Sequence, residues 1–564
     1  MPMTIRRIRT GLLAAFSAGS ILLPAAAMSN SEYGKFLAGQ HAEALQDTEN
    51  AASFLMHVLE ENPDDQKLLR RTFVLALTGG QMETAISLAR RIDESGGRMS
   101  TADLLLGVDL LRQGKFEAAR DAFDAMPRNG LATYAAPLAL AWSRVGLGAI
   151  DEALEALAPL DDKSGFGAMR DLHTALINEV AGRTAEAEAA YRGIADPLDA
   201  APIRVVRAVA ALFERNGRAD EARKLYEDYL RRDPQSLVVR GELQRMNTGG
   251  PATPLVASPV DGVAESLFNI ASALPRDRAG NIAIVYARLA LYLRPDFELA
   301  RLLIGELMDE GKQHEYANAI YGSIALSSPY SWSARIRIAN NLADMDEVDE
   351  AVSILEKMAE ERTERTDALI RLGGILRSKE RYDEAVVAYD RAAARFSESD
   401  AGDWFFYYNR GIALERSDMW SRAEPDFLKA LELQPDQPYV MNYLGYSWAE
   451  KGMNIDRARK LIEKAVELRR NDGFIVDSLG WVLFRLGDYE EAVKHLERAI
   501  RLRPSDPVIN DHLGDAYWRV GRKLEARFQW QHALDLDPEE SEIKKIQAKL
   551  IGGLEDKKAG NSGG

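Results

Sequence analysis

Residues 507–538 read PVINDHLGDAYWRVGRKLEARFQWQHALDLDP, and this stretch contains the pattern on which most of the chain is built. Small residues stand at Gly514 and Ala526, aromatic residues stand at Tyr517 and Trp530, and a proline closes the stretch. The alanine equivalent to Ala526 returns with a period close to 34 residues, at positions 51, 85, 119, 153, 187, 222, 283, 317, 351, 385, 423, 458, 492 and 526. A fixed period of this length is typical of a repeat protein.

Each repeat is predicted to be a pair of antiparallel helices. A second small residue precedes almost every one of these alanines, as Gly411 and Gly480 do, and helices can approach closely where a side chain lacks bulk. A large residue follows the alanine by four positions, as Phe427 does, and is expected to fill the space towards the next repeat. Prolines such as Pro435 and Pro504 end the second helix because they cannot donate to an i−4 carbonyl. Stacking of such hairpins buries their apolar faces.

The period and these key residues resemble the tetratricopeptide repeat (TPR). This resemblance implies an all-α, right-handed superhelical solenoid of about 14 helix-turn-helix units, interrupted once by a Gly/Pro-rich linker. The interruption lies between Ala222 and Ala283, where Gly, Pro, Ser and Thr cluster. We therefore expect an N-terminal array of about six repeats at 32–246, a linker at 247–263, a C-terminal array of about eight repeats at 264–540, and a capping helix and mobile tail at 541–564.

The N-terminal segment differs from the rest of the chain. It holds three arginines and no carboxylate before residue 32, followed by an apolar run from Gly11 to Leu23 and small residues around Ala27. These are the parts of a secretory signal peptide, which we predict at 1–27. The apolar run is too short to cross a membrane comfortably, and no other long apolar stretch occurs, so no integral membrane span is expected after cleavage. An uncleaved anchor and a mitochondrial transit peptide are the alternatives.

Composition excludes several classes of function. The net charge is −16, from 71 Lys+Arg and 87 Asp+Glu, and no basic block occurs, which argues against a nucleic-acid partner. Cysteine is absent, which excludes thiolate metal sites and thiol nucleophiles. The seven histidines do not pair at helical spacing with an acidic third ligand, and no phosphate-binding loop or nucleophile motif is present. We predict no enzyme activity, no catalytic residue, no metal and no cofactor.

The TPR resemblance implies that the first helices of successive repeats line a concave groove that contacts ligands. Transfer of the usual contact positions to the last four repeats gives Tyr408, Asn442, Tyr446, Asp477, Trp481, Arg485, Asp511 and Arg519 as groove residues, together with Phe405, Phe474, Phe484 and Trp518. Aromatic rings and polar groups along one surface suit an extended peptide. For several of these residues, packing within the array is the alternative role.

The block at 439–518 also resembles the C-terminal repeats of large envelope proteins of Gram-negative bacteria, some of which are adaptors for carboxyl-terminal processing proteases. This resemblance implies a periplasmic scaffold or adaptor that binds an envelope protease or components of an assembly complex and has no activity of its own. It also implies membrane association through partners. The alternative function is an accessory scaffold of a polysaccharide or cell-wall export complex.

Overall fold

The structure is a computed structural model that describes residues 32–160, 166–396 and 403–554. The signal peptide predicted at 1–27 lies outside these ranges, and so does the part of the predicted tail from residue 555 to residue 564. Within the ranges the chain forms 30 α-helices, one 3-10 turn at Leu198–Ala200 and no strand, so the predicted all-α fold is confirmed. None of the helices in these ranges is both long enough and apolar enough to cross a membrane. The handedness of the solenoid stays a prediction.

The chain divides into two compact units, residues 32–354 and residues 355–554. The helices of the first unit are α1 (Glu32–Ala44), α2 (Thr48–Glu61), α3 (Gln66–Gly79), α4 (Met82–Glu94), α5 (Ser100–Arg112), α6 (Phe116–Ala125), α7 (Ala132–Gly146), α8 (Ile150–Ala156), α9 (Gly167–Val180), α10 (Thr184–Ile194), α11 (Ile203–Arg215), α12 (Ala219–Arg232), α13 (Leu237–Asn247), α14 (Pro259–Ala273), α15 (Arg276–Leu293), α16 (Glu298–Glu310), α17 (His314–Gly322) and α18 (Ser331–Asp344).

Helix α19 (Val348–Glu361) contains the boundary between the units. The helices of the second unit are α20 (Asp367–Ser378), α21 (Tyr382–Ala393), α22 (Trp404–Arg416), α23 (Trp420–Leu433), α24 (Pro438–Glu450), α25 (Ile455–Leu468), α26 (Gly473–Leu486), α27 (Tyr489–Leu502), α28 (Pro507–Arg519), α29 (Lys523–Asp535) and α30 (Glu540–Gly552).

Over residues 32–160, 166–396 and 403–554, consecutive helices form 14 hairpins, which agrees with the predicted number of repeats. Six hairpins run from α1–α2 to α11–α12, and eight run from α14–α15 to α28–α29. Helix α13 and helix α30 belong to no pair. Below, the term "first helix" means the N-terminal helix of a hairpin, and "second helix" means the C-terminal one.

In the hairpins that have glycine at the small position, this residue and the large residue are in contact. A Cβ atom on Gly411 would lie 2.8 Å from Phe427 Cε1, and a Cβ atom on Gly514 would lie 2.5 Å from Trp530 Cδ1. Phe427 and Trp530 are fully buried. The large residues therefore cover the small residue of their own hairpin, where the missing side chain leaves room for a ring. They also reach the next repeat, as predicted, because the ring centroid of Phe427 lies 5.1 Å from that of Tyr443 on α24.

The predicted arrays and the compact units have different boundaries. Helix α13 ends at Asn247 and α14 begins at Pro259, so the segment without helix is shorter than the linker predicted at 247–263. The hairpin that follows it packs against helices of the first six repeats, chiefly through α14 on α7. Because of this packing, the first hairpins after the linker belong to the first unit. The boundary between the units therefore lies after residue 354 and not at the predicted linker.

Candidate functional site

The first helices of repeats two to six form one surface of the first unit, called here the first-unit groove; its helices are α3, α5, α7, α9 and α11. The hairpin α14–α15 lies against this surface: α14 contacts α5, α7 and α9, and α15 contacts α3 and α5. The surface on which the fold would receive a ligand in this unit is thus covered by a hairpin of the same chain.

The centre of this contact is the side chain of Trp142 on α7, which is fully buried. Gly262 of α14 lies directly on the indole, because a Cβ atom there would be 2.1 Å from Trp142 Cδ2. Trp142 Nε1 donates a hydrogen bond of 3.0 Å to His173 Nδ1, and His173 Nε2 lies 3.4 Å from Asn269 Nδ2 of α14. Burial lowers the pKa of His173 to about 3, so the ring is neutral at ordinary pH and keeps the acceptor that Trp142 needs.

Polar contacts add to the same interface. Arg204 of α11 donates a hydrogen bond of 2.9 Å from Nε to Oε1 of Glu265, whose side chain on α14 is fully buried. Tyr292 of α15 donates a hydrogen bond of 2.8 Å to Asp109 of α5. A buried carboxylate is costly unless it is paired, so Glu265 ties α14 to this surface.

In the second unit, the first helices carry all the groove residues that were predicted from the sequence. Together α22, α24, α26 and α28 form what is called here the second-unit groove. Tyr408 lies on α22, Asn442 and Tyr446 on α24, Asp477, Trp481 and Arg485 on α26, and Asp511 and Arg519 on α28.

Trp481 and Arg485 are half-buried and share a partner on the neighbouring helix. The Trp481 ring stacks on His512 with centroids 4.0 Å apart and on Phe484 with centroids 4.9 Å apart. Its Nε1 donates to Glu450 Oε1, and Arg485 Nη1 lies 3.4 Å from the same oxygen. These contacts hold both side chains within the array while part of each remains accessible.

The two predicted aspartates already have partners in the chain. Asp477 is buried, and both of its carboxylate oxygens lie 3.1 Å from His512 Nδ1. Burial opposes a charge on His512, but the nearby carboxylates outweigh that effect, Asp477 most strongly, and raise its pKa. Asp511 accepts a hydrogen bond of 2.7 Å from Lys549 of α30.

Tyr408, Asn442, Tyr446 and Arg519 are half-buried. Tyr408 packs among aromatic rings, with its centroid 6.1 Å from that of Tyr443, and burial raises its pKa to about 12. Burial followed by the charge of Glu450 raises the pKa of Tyr446. Asn442 Oδ1 is buried and accepts no hydrogen bond from the described residues. Arg519 lies near the end of α28.

The most accessible aromatic side chains of this surface stand at the helix starts. Phe405, Tyr439 and Phe474 are each the second residue of a first helix, and the exposed fractions of Phe405 and Tyr439 are 53% and 43%. In each helix the cap residue two positions earlier accepts a hydrogen bond from the backbone N–H of the aromatic residue; these cap residues are Asp403, Gln437 and Asp472. Tyr439 was not among the predicted groove residues, although it occupies the same second position as Phe405 and Phe474.

Three further residues of this surface were not predicted from the sequence: Glu450, His512 and Lys549. The first two lie on first helices of the groove, and the third lies on α30. Among the described residues, no group of three or more His, Asp or Glu side chains could hold a metal ion.

Comparisons with known proteins give partial matches. A family model described as "TPR repeat" matches residues 480–521. Two models described as "Tetratricopeptide repeat" match residues 203–246 and 336–401. The chain is 28% identical over 199 residues to a TPR repeat-containing protein of Pseudomonas aeruginosa, a match that covers 35% of this chain and 32% of that protein. It is 24% identical over 176 residues to the human protein O-mannosyl-transferase TMTC1, covering 31% of this chain and 20% of that protein.

These matches thus span about a third and a fifth of the length of the two relatives. Among solved structures, the chain is similar to the APC/C hetero-tetramer Cut9–Hcn1, with 16% identity and a TM-score of 0.37 over 94% of this chain and 98% of that chain.

Proposed function

Because this chain is a tetratricopeptide repeat protein, we propose that it is a non-enzymatic scaffold that binds partner proteins through the second-unit groove. The observation that carries this proposal is the contrast between the two grooves. The first is covered by α14 and α15 of the same chain, whereas the second presents Phe405 and Tyr439 to solvent at the starts of adjacent first helices. TPR folds serve protein–protein interaction, and large exposed aromatic residues are the usual anchors of such interfaces.

The geometry favours an extended peptide segment as the ligand. Phe405, Tyr439 and Phe474 recur at the same position of three successive first helices, which suits apolar side chains spaced along an extended chain. Arginine side chains border this row, because Arg469 lies 5.7 Å from the ring centroid of Tyr439 and Arg503 lies 4.8 Å from that of Phe474. Acidic residues between the apolar positions of the ligand would complement these guanidinium groups.

The proposal also includes the cellular location of this scaffold and the kind of partner that it binds. The signal-peptide composition of the first 31 residues supports export to the periplasm. The resemblance of the block at 439–518 to envelope adaptors supports the delivery of substrates to a processing protease. Partner proteins of a polysaccharide or cell-wall export complex would indicate the alternative function instead.

The experiment is affinity purification of the tagged full chain from the envelope fraction of its native cell, with mass spectrometry of the bound proteins. Variants Phe405→Ser and Tyr439→Ser are compared with Val387→Ser, which removes an exposed apolar side chain, 58% accessible, from the second helix α21. We expect both groove variants to lose the bound proteins and the control to retain them. Unchanged recovery with all three variants would refute the groove assignment.

Export is tested on the same cells. N-terminal sequencing of the purified protein is expected to begin close to residue 28, and fractionation is expected to recover it with periplasmic proteins. A chain that keeps its first 27 residues and fractionates with cytoplasmic proteins would contradict the envelope role and leave the peptide-binding proposal to be judged by the groove variants.

A further inference from the structure

Helix α30 covers the end of the second-unit groove with one of its faces. Ile546 is fully buried, Lys549 and Leu550 are half-buried, and Lys544 and Ile551 on other faces are exposed. At its C-terminal end, Gly553 lies on the ring of Trp518, where a Cβ atom would be 1.9 Å from Cζ2. A single fully buried apolar side chain is a small anchor for a helix of this length.

The ammonium group of Lys549 lies between two carboxylates of α28. Its Nζ is 2.7 Å from Asp511 Oδ2 and 2.8 Å from Asp515 Oδ1. Asp515 also accepts a hydrogen bond of 2.8 Å from Trp530 Nε1, which fixes its orientation. Charge complementarity, rather than apolar area, therefore defines this end of the groove.

The two carboxylates offer four acceptor oxygens, and Lys549 does not bind all of them. Asp511 Oδ1 is buried and accepts no hydrogen bond from any described residue, although Oδ2 of the same carboxylate is bound by Lys549. An ammonium group offers three donors from one point, whereas a guanidinium group offers five in a planar fork that matches carboxylate geometry. A guanidinium group can bind both oxygens of one carboxylate, which one ammonium donor does not do.

We propose that the pocket formed by Asp511, Asp515 and Trp518 is a receptor for a basic side chain on a helical segment of a partner protein, and that α30 occupies it in the free chain. The pocket selects arginine over lysine, so a partner helix with arginine at the position of Lys549 displaces α30. The inference rests on the proposed function, since it adds a second contact to the same groove. The expected partner segment is a helix with apolar side chains at the positions of Ile546 and Leu550 and an arginine at the position of Lys549.

The test uses the full chain and labelled synthetic peptides of residues 536–554, read by fluorescence anisotropy. The peptides carry the natural sequence, Lys549→Arg or Lys549→Ala. We expect the full chain with Lys549→Ala to bind the natural peptide at least tenfold more tightly than the unaltered chain does, because its own helix competes less well. The chain with Lys544→Ala, an exposed lysine five residues earlier on another face of α30, is the matched control and is expected to bind like the unaltered chain.

Among the peptides, the Lys549→Arg form is expected to bind the Lys549→Ala chain several-fold more tightly than the natural form. Adding Asp511→Asn to that chain is expected to remove this difference. Equal binding of all three peptides, or no binding to a Lys549→Ala chain of unchanged helicity, would overturn the proposal.

A second measurement does not depend on peptide binding. Hydrogen exchange of α30 in the full chain is expected to slow with Lys549→Arg, to quicken with Lys549→Ala and to stay unchanged with Lys544→Ala. Exchange that is no slower with Lys549→Arg would contradict the claim that the pocket has an unused acceptor.

Failure of this inference is distinguishable from failure of the proposed function. If partner proteins still depend on Phe405 and Tyr439 while Lys549 variants change neither capture nor exchange, the groove binds partners and the pocket is structural. A dimer of the unaltered chain that is lost with Lys549→Ala would show exchange of α30 between copies and would also overturn occupation within one chain.

Discussion

Replacement of Gly262 by alanine tests whether α14 lies against the first-unit groove. The added Cβ atom would be 2.1 Å from Trp142 Cδ2 and 2.3 Å from Cε2 and Cε3, distances that no ordinary contact reaches. The indole has little freedom to retreat, because it is fully buried and its Nε1 is held by His173. The backbone of α14 must therefore move away from α7.

The magnitude follows from a matched control in the same unit. Gly241 lies in the interior of α13, and a Cβ atom there would meet nothing within 4 Å. Alanine is favoured over glycine in a helix interior by about 0.8–1 kcal/mol, so Gly241→Ala should stabilise the chain by that amount at most. Gly262→Ala shares this gain but adds an overpacking cost of about 1–3 kcal/mol. The difference between the two variants is the cost of the clash alone.

The assay is hydrogen exchange by mass spectrometry, because an array of many repeats opens locally and a single unfolding midpoint would average over both units. We expect faster exchange in α14 and α7 with Gly262→Ala, and unchanged or slower exchange with Gly241→Ala. Exchange in α14 that is the same in the two variants, to within about 0.5 kcal/mol of opening free energy, would refute the packing of this helix on Trp142.

Three further outcomes are expected. The pKa of His173 is about 3 in the folded chain, below its ordinary value of 6.5, so its stabilising effect is complete above pH 6.5 and is lost as the pH falls towards 3. Hydrogen exchange of α7 and α14 should show up to about 1.4 kcal/mol of lost opening free energy per pH unit in that window, and His173→Gln should remove this contribution. Arg204→Ala leaves Glu265 buried without its cation and should lower the opening free energy of α14 by about 3–5 kcal/mol, whereas Arg231→Ala, at a pair whose arginine is largely exposed, should cost its own helix under about 1 kcal/mol. Phe405→Ser should change stability by less than about 0.5 kcal/mol but weaken partner binding more than tenfold in a pull-down titration, and an equal loss of stability would assign the ring to packing.

The number and kind of helices follow from the sequence because the determinants are local. A small residue and a large residue sixteen positions apart, such as Gly514 and Trp530, specify one hairpin wherever that hairpin lies. The position of the hairpin α14–α15 depends instead on contacts far apart in sequence, such as Gly262 on Trp142. The structure shows that α14 is buried on all sides, including at Glu265 and Ser266, so it is not a surface helix of an open array; the 34-residue pattern does not contain the neighbours that bury it.

The candidate site was predicted in part for the same reason. The repeat positions place Trp481 and Arg485 on a first helix, but they do not say which neighbour each will contact. Asp477 was assigned to the ligand side without regard to His512, which lies 35 residues later and pairs with it. Lys549 was not considered because the pattern of the repeat ends before α30.

The most direct test of the account is site-specific photocrosslinking in the native cell. The photoreactive residue benzoylphenylalanine is placed at Phe405 of the second-unit groove in one strain and at Val387 of helix α21 in another; both side chains are more than half exposed. The account predicts discrete crosslinked partner proteins at position 405 and none of them at position 387. The same partners at both positions, or partners only at 387, would contradict binding through this groove.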